Sequence, residues 1–183
     1  MLIATWNVNS VRTRLSQIIS WISEENPDVL CLQETKVIDE DFPTQPFEAL
    51  GYEVIVFGQK SYNGVAIITK FSAENITKGF NNSNNHNFSE QKRMISADIK
   101  GVKIINVYVP NGSSVGSEKF EYKINWLNAL ASFVDEQVRK GGLICLLGDF
   151  NIALSEKDIH DPEKYEGGIM ASNIERNTLN NVL

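Results

Sequence analysis

The sequence predicts an α/β fold, and its hydrophobic pattern carries that prediction. Three short apolar runs, at residues 3–6, 29–32 and 143–147, each lead into polar residues with oxygen-bearing side chains. Apolar residues recur at helical spacing between the first two runs, so strand, helix and strand follow one another. That order predicts a βαβ unit, in which the two parallel strands share one sheet.

Capping residues and turn formers set the elements of the first half. Asn9 or Ser10 can cap a helix that begins at Val11, and Asn26-Pro27 ends it, because the residue before a proline avoids helical dihedrals. We expect a strand over 2–8, the helix over 11–26, a strand over 28–33, a short helix around 42–50, and strands over 52–57, 64–69 and 73–77 that pair in antiparallel fashion.

The second half has sharper boundaries. Lys100-Gly101 between two apolar runs predicts a hairpin, and Ser117 and Gly141 predict the ends of a long helix. Ser172 and Glu175 form a capping box that starts a last helix. We also expect a mobile surface loop over 81–87, hairpin strands over 94–99 and 102–108, a strand buried on both faces over 143–149, a charged loop over 158–164, and an apolar face of the long helix made of Phe120, Ile124, Leu127, Leu130, Val134 and Val138.

Composition predicts a soluble globular protein with a single domain over residues 1–183. The formal net charge of −6 argues against a protein that wraps nucleic acid without specificity, although a basic rim can still surround a local site. No apolar run reaches the roughly 18–20 residues that span a bilayer, and no secretion signal is seen, so we expect a cytoplasmic protein. Cys31 and Cys145 lie in apolar runs and are expected to be buried and reduced.

The polar residues at the strand ends suggest a metal-assisted site. Mg²⁺ takes oxygen ligands and usually needs only one or two carboxylates beside water and phosphate oxygens. Glu34 is the natural metal carboxylate, and Asn7 could hold a metal-bound water or orient Glu34. Asp149 is the natural general base for an attacking water, and Asn151 could orient that water or contact a phosphate oxygen.

A fourth exit from strand to loop, at residues 106–112, adds groups that suit a phosphate. Tyr108 offers a hydroxyl and Asn111 an amide donor. Cationic side chains beside the predicted exits would form a basic rim for a phosphate-bearing substrate, namely Arg12, Lys36, Lys60 and Arg93.

Each of these residues has a structural alternative when it is taken alone. A carboxylate at a strand end is more often a cap or a solvated charge, Tyr108 a core residue and Arg93 a member of a structural ion pair. Arg12 and Lys36 are commonly solvated, His86 and His160 fall in polar loops, and Trp6, Trp21 and Trp126 are expected in the core. The coincidence of several polar exits from several apolar strands favours the functional interpretation.

Five ordered motifs also resemble one known family. They are Trp6-Asn7-Val8-Asn9-Ser10-Val11-Arg12, Leu32-Gln33-Glu34-Thr35-Lys36, Tyr62-Asn63-Gly64-Val65-Ala66, Tyr108-Val109-Pro110-Asn111-Gly112 and Gly148-Asp149-Phe150-Asn151-Ile152-Ala153. Together they resemble the exonuclease III family of apurinic/apyrimidinic endonucleases, within the endonuclease/exonuclease/phosphatase superfamily. The resemblance runs in order along the whole chain, and the second motif is its most specific part.

The resemblance implies a four-layered α/β/β/α sandwich of two mixed sheets with helices outside. It implies a monomeric, bacterial-type repair hydrolase of the cytoplasm and nucleoid, which cuts double-stranded DNA 5′ to abasic sites and acts at 3′ ends as exonuclease and phosphatase. The implied cofactor is Mg²⁺ or Mn²⁺. Carried over by motif, Asn7 and Glu34 serve the metal, and Tyr108 and Asn111 hold the phosphate. Asp149 activates water, Asn151 positions it or contacts the phosphate, and both also count among the expected metal residues.

The sequence departs from the family pattern at its end. The family continues into a Gly-x-Arg-Ile-Asp segment and a terminal Ser-Asp-His, and neither His86 nor His160 matches that motif. We therefore expect a C-terminally truncated chain with an exposed sheet edge, an incomplete sandwich and little incision activity by itself. Two alternatives stay open: a catalytically dead module that binds DNA or a partner, and a superfamily phosphodiesterase that acts on a small molecule or a lipid head group.

Overall fold

A computed structural model describes residues 1–80 and 86–183, which form two compact units. The first unit comprises Met1–Tyr108 and Gly142–Asp149, and the second comprises Val109–Gly141 and Phe150–Leu183. The first holds β1 (Ile3–Asn7), α1 (Val11–Glu25), β2 (Val29–Gln33), α2 (Gln45–Glu48), β3 (Glu53–Phe57), β4 (Val65–Thr69), β5 (Ala73–Lys78), α3 (His86–Ser89), β6 (Met94–Ile99), β7 (Val102–Tyr108) and β8 (Leu143–Asp149). The second holds α4 (Glu118–Lys140), α5 (Pro162–Tyr165) and α6 (Asn173–Asn180).

The strands of the first unit form two four-stranded mixed sheets. The first sheet has the order β1-β2-β4-β3 and the second the order β5-β6-β7-β8. In each sheet one pair is parallel, β1 with β2 and β7 with β8, while the other neighbours are antiparallel. The predicted α/β class with two mixed sheets is therefore confirmed, as is the βαβ unit formed by β1, α1 and β2.

β2 lies between two hydrophobic layers of the first unit. Because successive side chains of a strand point to opposite faces, its apolar residues divide into two sets. Leu30 and Leu32 belong to the core cluster that contains the buried side of α1. Val29 and Cys31 belong to the cluster that includes residues of β6 and β7 in the second sheet. The two sheets therefore pack face to face, and α1 covers the other side of the first.

Caps and turns form at the residues that the sequence indicates. Ser10 caps α1 and Asn26 ends it with a left-handed φ of 50°. Lys100 and Gly101 both have positive φ, as a two-residue turn between antiparallel strands requires. In the second unit, Ser117 caps α4, Gly141 ends it, and the capping box of Ser172 and Glu175 begins α6.

Two expectations about strands are wrong. β5 does not pair with β4, because the chain crosses to the second sheet after β4 and β5 becomes the neighbour of β6. β8 is not buried on both faces: Leu143 is 70% exposed, and the residues after it are only half-buried. In the described part of the chain β8 is an edge strand that is hydrogen-bonded to β7 alone, which explains this exposure.

The buried face of α4 also differs from the predicted one. Val138 is 59% exposed and Ile124 is half-buried, whereas Lys123 and Trp126 are fully buried. The prediction from apolar periodicity is wrong here because it assigns every charged residue to the exposed face, whereas Lys123 is buried with a charged partner. The region predicted as a charged loop, 158–164, begins at the last residue of the 3-10 turn Glu156–Asp158 and includes most of α5.

Most of the asparagine-rich tract, residues 81–85, lies outside the described residues, so the prediction of a mobile loop there has no structural counterpart. His86 opens α3 rather than continuing a loop. Over 1–80 and 86–183, no helix combines the length and hydrophobicity needed to cross a membrane.

Candidate active site

The parallel strand pairs deliver polar residues at their carboxyl ends, where α/β proteins commonly bind ligands. In the first sheet β1 ends at Asn7, opposite Gln33, and Glu34 directly follows β2. In the second sheet Tyr108 ends β7 opposite Asp149, the last residue of β8. The first unit thus collects one amide, one phenol and two carboxylates from the ends of four strands.

The side chain of Asn7 joins the two carboxylates of this cluster. Its Nδ2 donates to Glu34 Oε1 at 2.8 Å and to Asp149 Oδ2 at 2.7 Å. Its Oδ1 accepts the backbone N–H of Asn9 at 3.1 Å. The amide nitrogen therefore holds both acidic groups while the backbone of Asn9 holds the amide oxygen, an arrangement that suits the orienting role predicted for Asn7.

Glu34 is surrounded by hydrogen-bond donors. Burial by itself would raise its pKa, but hydrogen bonds from Asn7, Lys36 and Tyr108, with the charge of Lys36, outweigh burial and hold the pKa below its usual range. Lys36 Nζ lies 3.0 Å from Glu34 Oε2 and also donates to the Asn9 side chain. Glu34 is consequently an ionised carboxylate at neutral pH, as a ligand for a hard cation must be.

Tyr108 stays protonated at neutral pH. Burial, followed by the charge of Glu34 and the hydrogen bond to it, raises the pKa of Tyr108 to about 12, although Arg93 opposes the rise. The Arg93 guanidinium lies over the Tyr108 ring, 4.6 Å from its centroid, and donates to the Tyr108 carbonyl at 3.3 Å. Tyr108 is therefore a neutral hydroxyl donor with a fixed ring.

The loops around the cluster hold several non-glycine residues in left-handed conformations. Asn9, Ser10, Glu34 and Lys36 have φ of 44°, 98°, 54° and 58°. Such residues cost free energy and are concentrated at functional sites. Backbone hydrogen bonds enforce them: Ser10 N donates to Glu34 O at 2.7 Å, and Lys36 N donates to Asn63 O at 3.0 Å. Sequence reasoning did not detect this strain.

A buried pair of amides lies beneath the cluster, and sequence reasoning also missed its role. Gln33 Nε2 donates to Asn106 Oδ1 at 2.7 Å, and Asn106 Nδ2 donates to the carbonyls of Leu32 and Ala66 at 3.0 and 2.9 Å. Asn106 lies on the second sheet and its three partners on the first, so the amides link the sheets just below Glu34 and Tyr108. The sequence did offer a signal for this pair, because Gln33 and Asn106 are polar residues within mostly apolar strands.

The other predicted site residues have contacts of several kinds. Arg12 pairs with Asp41 at 3.1 Å on the surface of the first unit, where Lys60 is also exposed. In the second unit, Asn111 is exposed and its Oδ1 accepts the backbone N–H of Ser113, while Asn151 Nδ2 donates to Val109 O at 2.9 Å. Their predicted roles in substrate binding stay predictions.

The donor set of the cluster fits a hard divalent cation. In the chain as described, no three His, Cys, Asp or Glu side chains group together as a metal site. Glu34 and Asp149 supply two carboxylates, and Mg²⁺ commonly takes one or two while it keeps several waters. Two acidic groups on one amide nitrogen also repel each other, and a bound cation would relieve that repulsion.

The chain is similar to several proteins whose names describe enzymes that act on DNA. It is 38% identical over 160 residues to an exodeoxyribonuclease III of Haemophilus influenzae, an alignment that covers 85% of this chain and 59% of that protein. The solved structure of the 3′ phosphatase NExo from Neisseria, bound to a product DNA hairpin, matches with a TM-score of 0.94 and 39% identity. An AP endonuclease from Archaeoglobus fulgidus matches with a TM-score of 0.93 and 37% identity. Each structural match covers 100% of this chain and 70% of the other.

The extent of these matches also sets their limit, because the chain spans about three fifths of the length of the Haemophilus protein. The sequence model of one family matches residues 4–179, which includes every residue of the cluster. The fold, the strand-end cluster and this match agree, and the chain belongs to the endonuclease/exonuclease/phosphatase family.

Proposed function

We propose that this chain carries catalytic residues of a divalent-metal-dependent hydrolase that cuts DNA at abasic sites and processes 3′ ends. The observation that carries the proposal is the Asn7 amide, which holds the carboxylates of Glu34 and Asp149 on one nitrogen. Relatives described as an exodeoxyribonuclease III, a DNA-bound 3′ phosphatase and an AP endonuclease support DNA as the substrate. The proposal includes a monomer that acts on double-stranded DNA in the cytoplasm.

Glu34 and Asp149 would hold Mg²⁺ or Mn²⁺, with Asn7 keeping both carboxylates in place and Asn151 as a further candidate ligand. Such an ion supplies electrostatic stabilisation of the charge that develops on a phosphoryl group. Lys36 neutralises part of the negative charge of Glu34, which reduces the repulsion between the cluster and an incoming anionic phosphate. Arg12 and Arg93 are proposed to extend this cationic rim toward the DNA backbone.

Asp149 is proposed as the general base. A water attacks phosphorus and gives one proton to the Asp149 carboxylate, while its oxygen forms the new P–O bond. The bond between phosphorus and the 3′ oxygen breaks, and that oxygen takes a proton from solvent water to become a 3′ hydroxyl. Tyr108 is neutral because its pKa is raised to about 12, and it would turn its one O–H from Glu34 to a phosphate oxygen when it donates a hydrogen bond to the substrate. Asn111 and Asn151 are proposed as further phosphate contacts.

The test uses protein expressed from the full reading frame, with Mg²⁺ and two substrates, an abasic-site duplex and a duplex with a 3′ phosphate. Asp149→Asn removes the base but keeps the shape of the side chain, so we expect each rate to fall about 10²- to 10⁴-fold. Asp135→Asn is the matched control, because Asp135 is 70% exposed on α4.

Equal rates for wild type and Asp149→Asn would remove Asp149 from the mechanism. Release of phosphate from the 3′ end without incision of the abasic duplex would restrict the function to 3′ processing, the activity named for the Neisseria relative. A wild-type protein that binds DNA with no turnover of either substrate would instead favour a binding module.

A further inference from the structure

Lys123 and Glu175 form a fully buried ion pair within the second unit. Lys123 lies on α4 and Glu175 on α6, Nζ lies 2.5 Å from Oε1, and both side chains are 0% exposed. Removing two charges from water is costly, and such a pair is often no more stabilising than well-packed apolar side chains. Stability alone therefore does not explain why this ion pair is present.

The contacts of the Lys123 ammonium indicate a role in holding two loops in place. Besides Glu175, Nζ donates to the backbone carbonyls of Asn111 at 3.1 Å and Asn151 at 2.8 Å. An ammonium has three donors, so one side chain can serve these three acceptors at once. A single side chain thus fixes the backbone of two residues that are 40 positions apart and that both follow strands of the first unit.

Glu175 anchors the lysine from the opposite side. Its Oε1 also accepts the backbone N–H of Met170 at 3.0 Å, and its Oε2 accepts Ser172 Oγ at 2.6 Å and Ser172 N at 3.2 Å. The carboxylate is held by the capping box at the start of α6. Because four donors converge on it, Glu175 gives Lys123 a fixed counter-charge.

The loop around Asn111 is shaped to admit the lysine. Gly112 has a φ of +92°, and a Cβ there would lie 3.1 Å from Lys123 Cδ and 3.0 Å from Ile169 Cδ1. Ser117 Oγ donates to the Gly112 carbonyl at 3.1 Å, which fixes the same loop to the start of α4. The absence of a side chain at Gly112 leaves room for the lysine stem.

We infer that Lys123, locked by Glu175, is a positioning residue that sets the backbone of Asn111 and Asn151 so that their amides meet one DNA phosphate. This inference rests on the proposed function. Lys123 is sealed from solvent and touches no substrate itself, so it acts through the two asparagines. Their loops would otherwise have to be ordered at each encounter with DNA, at a cost in conformational entropy.

The test compares wild type with Lys123→Met/Glu175→Gln in the full-length protein. This double variant leaves no unpaired charge in the interior and retains acceptor oxygens for Met170 and Ser172. We expect kcat/KM on the abasic duplex to fall about 10- to 100-fold, the range seen when supporting partners of site residues are removed. Mn²⁺ affinity, which depends mainly on the carboxylates of the first unit, should fall less than kcat/KM does. Lys140→Met, at an exposed pair on the same helix, is the matched control.

A double-mutant cycle with Asn151→Ala separates positioning from general destabilisation. If Lys123 acts through Asn151, the loss caused by Asn151→Ala shrinks toward onefold in the background of Lys123→Met/Glu175→Gln. Full additivity of the two losses, or an unchanged kcat/KM in the double variant, would overturn the inference.

Hydrogen exchange separates failure of this inference from failure of the proposed function. We expect backbone amides of residues 111–113 and 150–153 to exchange at least tenfold faster in the double variant, with those of β1 and β2 unchanged. Unchanged exchange in both loops overturns the inference whether or not the wild type is a nuclease. If the double variant exchanges faster but the wild type has no nuclease activity, the positioning role of Lys123 stands and the proposed DNA function is rejected.

Discussion

The strand-end cluster of the first unit and the buried pair of the second unit use the same chemical groups with opposite results. In the first, Glu34 and Lys36 lie 3.0 Å apart and keep 20% and 29% of their side-chain surface exposed. In the second, Lys123 and Glu175 lie 2.5 Å apart with 0% exposed. The first ion pair remains open to solutes, and the second is closed on every side by protein.

The difference shows how surroundings separate a binding site from a scaffold. Glu175 accepts hydrogen bonds from Lys123, Met170 and Ser172 of its own unit, and Lys123 Nζ also donates to two backbone carbonyls. At the strand ends, two carboxylates share one amide nitrogen on a backbone held at positive φ. Paired carboxylates on a strained backbone are more typical of a functional site than of a purely structural one.

The largest effect on stability is expected from breaking the buried pair. Lys123→Met leaves the Glu175 carboxylate charged and without its counter-ion in the interior, so the free energy of unfolding should fall by about 3–5 kcal/mol. Urea unfolding followed by circular dichroism measures the change. Lys123→Met/Glu175→Gln should recover part of the loss, because no charge is then stranded. A loss below about 1 kcal/mol for Lys123→Met would show that the pair is not truly sealed.

An intermediate effect is expected at the open cluster, and it should appear in binding rather than in stability. Glu34→Gln removes a charged oxygen ligand, so Mn²⁺ affinity should fall at least about tenfold, or 1.4 kcal/mol. The free energy of unfolding should fall much less than for the buried pair, because the ion pair of Glu34 with Lys36 is partly exposed to solvent. Titration of Mn²⁺ followed by electron paramagnetic resonance measures the affinity.

Glu136→Gln is the matched control, since Glu136 is 62% exposed and pairs with Lys140 on the surface of α4. Equal Mn²⁺ affinities for Glu34→Gln and the control would exclude Glu34 as a ligand. A large loss of stability in Glu34→Gln would mean that the open cluster is as structural as the buried pair.

The two regions also differ in how far the sequence predicts them. Asn7, Glu34 and Asp149 could be picked out because each ends an apolar strand, and strand ends follow from local pattern. Lys123 lies three residues after Phe120 and four before Leu127, on the buried side of α4, but a lysine in such a stripe ordinarily reaches solvent. Only its partner, 52 positions away, makes full burial possible, and local pattern carries no information about such a partner.

The link between the two sheets was unpredictable for the same reason. Gln33 and Asn106 are 73 positions apart, and their hydrogen bond depends on which faces of the two sheets meet. The left-handed φ of Glu34 likewise comes from backbone contacts with distant loops, not from its residue type. Long-range packing thus decides the features that distinguish a working site from a set of suitable residues.

The smallest expected effect is a reciprocal change in two pKa values inside the open cluster. Glu34 raises the pKa of Tyr108 and Tyr108 lowers the pKa of Glu34, so each substitution should act on the other group. In Glu34→Gln the pKa of Tyr108 should fall from about 12 but stay above its ordinary value of 10, because burial remains. The stability that this protonated phenol contributes is complete below pH 10 and is lost as pH rises toward 12, so the variant should lose it at lower pH.

Absorbance titration of tyrosinate tests this expectation, with a Tyr108→Phe variant to identify the Tyr108 step among five tyrosines. Tyr52 is the internal control, because burial and the charge of Asp28 raise its pKa, and neither depends on Glu34. In Tyr108→Phe the pKa of Glu34 should rise, since one of its donors is gone. If the Tyr108 step stays near 12 in Glu34→Gln, burial alone sets it, and the phenol and the carboxylate do not form one electrostatic unit.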